Sequence, residues 1–195
     1  MLVYCGADPE FVIIGPKGKP VPAHRFFPGK TKKEKVEIKG RGMGYMFYDG
    51  YALELNPPPD PCRARLTDNV AYLLAEAKKK LPEGHRIAAL GAWKIAAEDL
   101  VGAPPEVREF GCDPALNAYA AGETKVELDG ETHLYRYGGG HMHFSMNPVP
   151  AWLSNMAKAK ALIKLLDQYV GLPLTYLFGS PATFRRRQYY GRAGN

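Results

Sequence analysis

The sequence predicts an α+β fold, and three observations carry that prediction. Two Asp-Gly dipeptides, at 49–50 and 129–130, each sit between runs of β-forming residues, the pattern of tight antiparallel hairpins. Two stretches, 66–81 and 151–170, place apolar residues at helical spacing. The length of 195 residues suits one domain over 1–195, able to bury roughly 70% of its unfolded surface without staples.

The elements follow in order. Leu2 to Ile14 reads as strand, kink, strand, with Pro9 confined to an edge or bulge because it cannot donate to a ladder. Glu10 precedes four apolar residues; it is either a solvent-facing strand start or a carboxylate that needs a compensating cation or hydrogen bonds. Residues 24–35 form a surface loop. Its Pro28-Gly29-Lys30-Thr31 is not a phosphate-binding loop, since position 24 is His rather than Gly.

Tyr45–Tyr48, Asp49-Gly50 and Tyr51–Leu55 form the first hairpin. Tyr51, Leu53 and Leu55 share one face of its second strand, and Ala52, Glu54 and Asn56 the other, so Glu54 is the single acid on a small, polar face. A solvent-facing Glu54 is the alternative. The helix over 66–81 takes Thr67 or Asp68 as cap and Val70, Leu73, Leu74, Ala77 and Leu81 as its apolar face. A short strand is expected at 87–90, and Phe110–Pro114 is a turn. The second hairpin joins 126–128 to 131–137 and delivers Arg136 into the run Gly138-Gly139-Gly140-His141-Met142-His143. On a strand His141 and His143 share a face, and the glycines before them let a phosphate, a metal or another backbone come close. The second helix sets Trp152, Met156, Ala159, Ile163, Leu166 and Val170 on one side, turns Lys158, Lys160 and Lys164 to solvent, and stops at Gly171 and Pro173.

Composition narrows the function classes. Hydrophobic residues make up 46% and charged residues 24%, ordinary values for a globular protein. No run of 18 apolar residues and no leader pattern stands in the sequence, so a cytoplasmic protein without a membrane partner is expected. Cys5, Cys62 and Cys112 are isolated, which fits a reducing compartment and excludes a thiolate zinc site; Cys112 reads as a buried thiol. The net charge of +6 is clustered. Lys30, Lys32, Lys33 and Lys35 read as a solvated loop. Arg185, Arg186, Arg187 and Arg192 are either a disordered basic tail or a set of forks suited to phosphates, those of a nucleotide rather than of nucleic acid.

Five segments in one order carry a resemblance: Asp8–Phe11, Asp49–Asn56, Phe110–Pro114, Arg136–His143 and Tyr190–Gly194. Together they resemble the phage-type carboxylate–amine ligases, or amidoligases, of the glutamine synthetase and glutamate–cysteine ligase superfamily. The resemblance implies a curved, mainly antiparallel sheet with helices on its outer face, like the glutamine synthetase catalytic domain. It implies ATP-dependent amide formation through an acyl phosphate, with Mg²⁺ or Mn²⁺ as the cation and small-molecule or peptide carboxylates and amines as substrates. By analogy Glu10, Glu54 and His141 are metal ligands and, with Arg136, the catalytic set. His143, Gly139, Gly140, Arg186 and Arg187 lie toward the nucleotide. The family pattern continues beyond Tyr190–Gly194, so the expectation is a domain short at its C-terminus, in a host bacterial cytoplasm if phage-encoded, with a second chain or a further copy able to complete the site. A non-catalytic binding or phage structural protein on the same fold, and a metal-dependent hydrolase using His141, His143 and Glu54, are the competing readings.

Overall fold

The computed structural model describes residues 2–28, 33–38, 44–110, 115–124, 128–151 and 155–189. Strands β1 (Leu2–Ala7) and β2 (Glu10–Ile14) are followed by β3 (Pro20–Val21), β4 (Val36–Ile38), β5 (Gly44–Asp49) and β6 (Ala52–Asn56). Helix α1 (Arg63–Lys79) leads to β7 (Arg86–Ala88), β8 (Ala92–Lys94) and the single turn α2 (Pro105–Arg108). Then come β9 (Ala115–Leu116), β10 (Glu123–Thr124), β11 (Tyr135–Tyr137) and β12 (Met142–Asn147), and the helices α3 (Met156–Leu166), α4 (Leu172–Phe178) and α5 (Pro181–Tyr189). The fold is α+β, built on a curled antiparallel sheet in the order β3-β2-β6-β5-β4, with β7 also paired to β2.

The first two strands are one strand kinked at Asp8-Pro9. β1 pairs with β12, with Gly6 opposite His143. The pairing is carried across the kink by Asp8 N–H to the His141 carbonyl (3.3 Å) and Glu10 N–H to the Gly139 carbonyl (3.0 Å). On the other side the Pro9 carbonyl accepts from Leu55 N–H at 3.1 Å. Pro9 therefore gives an acceptor and needs no donor, which is how a proline survives between two neighbours.

The hairpin over β5 and β6 forms as expected, with its loop moved by one residue. Asp49 pairs with Ala52, so the two loop residues are Gly50 and Tyr51, and Gly50 supplies the positive φ of 55°. Asp49 is thus the last residue of the strand rather than half of the turn. The core side of the sheet carries Met46, Tyr48, Leu53 and Leu55, clustered with Leu73 and Ala77 of α1. Helix α1 starts three residues before the expected 66. Asp60, not Thr67 or Asp68, organises its start, accepting from Cys62 N–H at 2.7 Å and pairing with Arg65 at 2.9 Å. Thr67 instead donates to the Arg63 carbonyl inside the helix.

The later elements depart further from expectation. The strand carrying Arg136 does not return along 126–128, of which 126 and 127 lie outside the described residues; it pairs with β8, Arg136 opposite Trp93. The Asp129-Gly130 turn is closed by Asp129, whose side chain accepts from Glu131 N–H and Thr132 O–H. The second helix begins at Met156, leaving Trp152 outside the described residues, and it does not stop at Gly171. A wide turn over Asp167–Gly171, with Leu172 N–H bonded to the Asp167 carbonyl five residues back, carries the chain past Pro173 and into α4. That extra residue per turn relieves the clash a proline ring makes with the preceding turn. The face expected to be apolar and covered is exposed: Met156, Leu166 and Val170 all stand open. Lys160 bonds the Ala120 carbonyl and Lys164 lies over the Tyr119 ring, so two of the three lysines hold the 117–122 loop rather than face only water. Among the described residues no helix is long and apolar enough to cross a membrane.

Candidate functional site

The register of three strands puts three acids on one face. Glu10 lies directly opposite Glu54, Phe47 opposite Glu54, and Asp49 opposite Ala52. Residues two apart share a face, so Glu10, Asp49 and Glu54 project together. One oxygen from each carboxylate lies within 4.8 Å of the others, spacing that could hold a metal ion. Like charges directly opposite each other destabilise a sheet unless something offsets them. Burial, followed by the negative charge of Asp49, pushes the Glu10 carboxyl above the ordinary carboxylate value; Arg186, the Gly139 N–H and His141 pull the other way. Glu54 is 7% exposed and accepts from Asn56 Nδ2 at 3.2 Å. Asn56 in turn accepts from Lys35 Nζ at 3.0 Å, and that ammonium sits 4.9 Å from the centre of the Phe47 ring. Lys35, expected in a solvated loop, therefore stands at the edge of the site.

A cleft opens beside the acids, lined by Glu10, Asp49, Tyr51, Trp93, Phe110 and Arg136 among others. Its cavity of about 20 Å³ has room for one ion or water and not for a nucleotide. Arg136 is 3% exposed. Its guanidinium donates to the carbonyls of Gly130, His133 and Tyr135 and lies 5.1 Å from the Phe110 ring centre. Tyr51 O–H donates to Asp99, which Arg25 also holds at 2.8 Å. Burial and then the Asp99 charge raise the Tyr51 phenol far above its usual range, so it remains a donor.

The three glycines each make room for something specific. A Cβ on Gly138 would meet the Trp93 ring at 2.8 Å. On Gly139 it would meet the Arg186 guanidinium at 2.6–2.9 Å. On Gly140, at φ +143°, it would meet Pro9 Cα at 2.8 Å and the Asp8 carbonyl at 2.9 Å. What comes close to this stretch is thus backbone, an indole and a guanidinium. Gly140→Ala combines backbone strain with a backbone clash at the kink, and we expect it to cost about 1–3 kcal/mol of stability, read as a lowered urea midpoint.

The structure brings Glu10 and Glu54 together, as the sequence reading required, and adds Asp49, which that reading had placed in the turn. His141 and His143 do share a face, and both face Asp8: His141 Nδ1 lies 3.4 Å and His143 Nε2 3.1 Å from its two oxygens. Among the described residues His141 is not part of the acidic cluster, although its charge reaches Glu10. Arg186 sits over Gly139 beside Glu10, and Arg185 lies 4.3 Å from the Tyr135 ring centre. Arg187 is half-buried on the same helix, so residues 185–187 are an ordered α5 rather than a loose tail. Cys112, Asp113, Lys30, Lys32 and Tyr190–Gly194 lie outside the described residues.

The site is thus a cluster of three acids on a curled antiparallel sheet with Arg136 and Arg186 beside it, spaced so that it could hold a metal ion. Residues 117–195 match the model of the family described as Phage phiEco32-like COOH.NH2 ligase-type 2, so that segment is similar to the carboxylate–amine ligases. The matched segment holds Arg136, the glycine run, both histidines and α5; the three acids lie outside it. No curated protein and no solved structure matches the chain.

Proposed function

We propose that this chain is an ATP-dependent carboxylate–amine ligase on a glutamine synthetase-like catalytic domain, working through an acyl phosphate. One observation carries the reading: Glu10, Asp49 and Glu54 converge from neighbouring strands beside arginines of a segment matched to a ligase family. Carboxylate oxygens at this spacing are the hard donors that Mg²⁺ or Mn²⁺ takes. Such a cation, when bound, neutralises charge on the phosphoryl group in transfer. The chain's own residues do the rest. Arg186, fixed over Gly139, offers a charged fork to phosphate oxygens, with Arg187 on the same helix. Asp8 bonds His143 and so orients its ring toward the open side, where a nucleotide too large for the cleft would lie. The substrate carboxylate attacks the γ-phosphorus and ADP leaves; the amine then attacks the acyl carbon and phosphate leaves.

The test is Mg²⁺-dependent ADP release over a panel of amino acids and short peptides, with hydroxylamine added to trap the acyl phosphate as a hydroxamate. Asp49→Asn and Glu54→Gln should each lower the rate by about a hundredfold or more. Rates equal to wild type in both variants would remove the acids from the mechanism. Hydrolysis of a peptide or ester without nucleotide would support the hydrolase reading. Failure to bind Mg·ATP would support a non-catalytic role.

A further inference from the structure

Two buried donors beside the acids have no acceptor among the described residues. Trp93 and Arg136 are register partners across β8 and β11, so their side chains share a face. They are 5% and 3% exposed, and both line the cleft that holds Glu10 and Asp49. The indole N–H of Trp93 and the Nε–H of Arg136 are each buried without a hydrogen-bond partner among the described residues. A buried donor left without a partner is costly, so two on neighbouring strands lining one cleft call for a ligand. The far edge of the indole packs against Gly138, where a Cβ would meet the Trp93 ring at 2.8 Å.

We infer that Trp93 and Arg136 form a two-donor subsite for one anionic oxygen of a substrate, either a carboxylate or a phosphoryl oxygen. The inference rests on the ligase reading above and adds Trp93, which no motif singled out, as a binding residue. The cavity of about 20 Å³ admits a single oxygen. Glu10, Asp49 and Glu109 also line it, so a bare anion is repelled. The oxygen enters only when a divalent cation has offset those charges. Anion binding here is therefore Mg²⁺-dependent, which an adventitious surface site would not be.

The experiment is calorimetric titration of the full chain with inorganic phosphate and, separately, with acetate, each with and without Mg²⁺ and without nucleotide. Wild type should bind one of the two anions at one site, only with Mg²⁺, and the anion that binds says which oxygen the subsite takes. Trp93→Phe keeps the ring and deletes the N–H, and should weaken that binding about tenfold, as loss of a hydrogen bond to a charged group does. Arg136→Lys should weaken it by at least as much. Binding in Trp93→Phe equal to wild type, or no Mg²⁺-dependent binding of either anion by wild type, overturns the subsite and leaves the pair to a trapped water. The two readings fail separately. Mg²⁺-dependent anion binding that Trp93→Phe weakens, without ADP release, keeps the subsite and drops the ligase. ADP release with an unchanged KM in Trp93→Phe drops the subsite and keeps the ligase.

Discussion

Glu10→Gln should make the protein more stable without divalent cations and should remove most of the stability that Mg²⁺ adds. Burial and the charge of Asp49 raise the Glu10 carboxyl above its unfolded value, so the folded state holds this proton more tightly than the unfolded state does. The sign follows from linkage: the contribution is fully present below the unfolded carboxylate range and is lost as pH rises through the raised folded value. At neutral pH the cation-free protein therefore carries a destabilising carboxylate. Glutamine keeps the acceptor that Gly139 N–H uses at 2.9 Å and deletes the charge. In EDTA the melting temperature of wild type should fall between the ordinary carboxylate range and pH 7, and that of Glu10→Gln should stay flatter. Each kcal/mol is worth about 2–4 °C in a chain of this size. With Mg²⁺ at a hundred times its dissociation constant wild type should gain about 2.7 kcal/mol, and the variant much less. Parallel melting curves for the two proteins, with and without Mg²⁺, would mean that no cation binds at Glu10.

That experiment concerns a site only partly legible in the sequence. Glu10 and Glu54 stood out because each is an acid embedded among apolar strand residues, and embedding is a local property. Their pairing is not local: it depends on β2 lying against β6 in one register, forty residues apart along the chain. Asp49 was hidden by its own neighbour. Asp-Gly is a strong signal for a two-residue turn, and only the shift of the loop to Gly50-Tyr51 returns Asp49 to the strand, two residues from Phe47 and on the Glu54 face. The strand parity of Phe47 and Asp49 was the signal that could have found it. The glycine run was legible as a place of close approach. What approaches it was not, because Arg186 arrives from a helix nearly fifty residues later and Pro9 from a strand 130 residues earlier. The short strands β8 and β11 could not be paired from sequence either, since three residues carry too little periodicity to set a register. The helix running through Pro173 was misread for another reason: proline and glycine stop a helix of 3.6 residues per turn, and a single wider turn removes the conflict.

The glycine run yields the sharpest functional prediction. Gly139→Ala should leave the fold nearly as stable as wild type and still lower ligase turnover by roughly a hundredfold, the scale of losing one charged donor at a reacting oxygen. A methyl at 139 would lie 2.6 Å from Arg186 Nη2 and 2.8 Å from Cζ, so one of the two must move. The yielding partner is the far end of a flexible side chain, which moves at little cost, whereas at Gly140 the obstacle is the backbone of Asp8 and Pro9. The penalty of Gly139→Ala therefore falls on the position of a positive charge beside Glu10 rather than on stability. Arg186→Ala should show the same loss. The double variant should be no slower than either single one, because each acts by taking the same guanidinium away from the same place. Losses that multiply in the double variant would show that Gly139 and Arg186 act independently, and wild-type turnover in Gly139→Ala would show that the guanidinium does not need to be where the structure holds it.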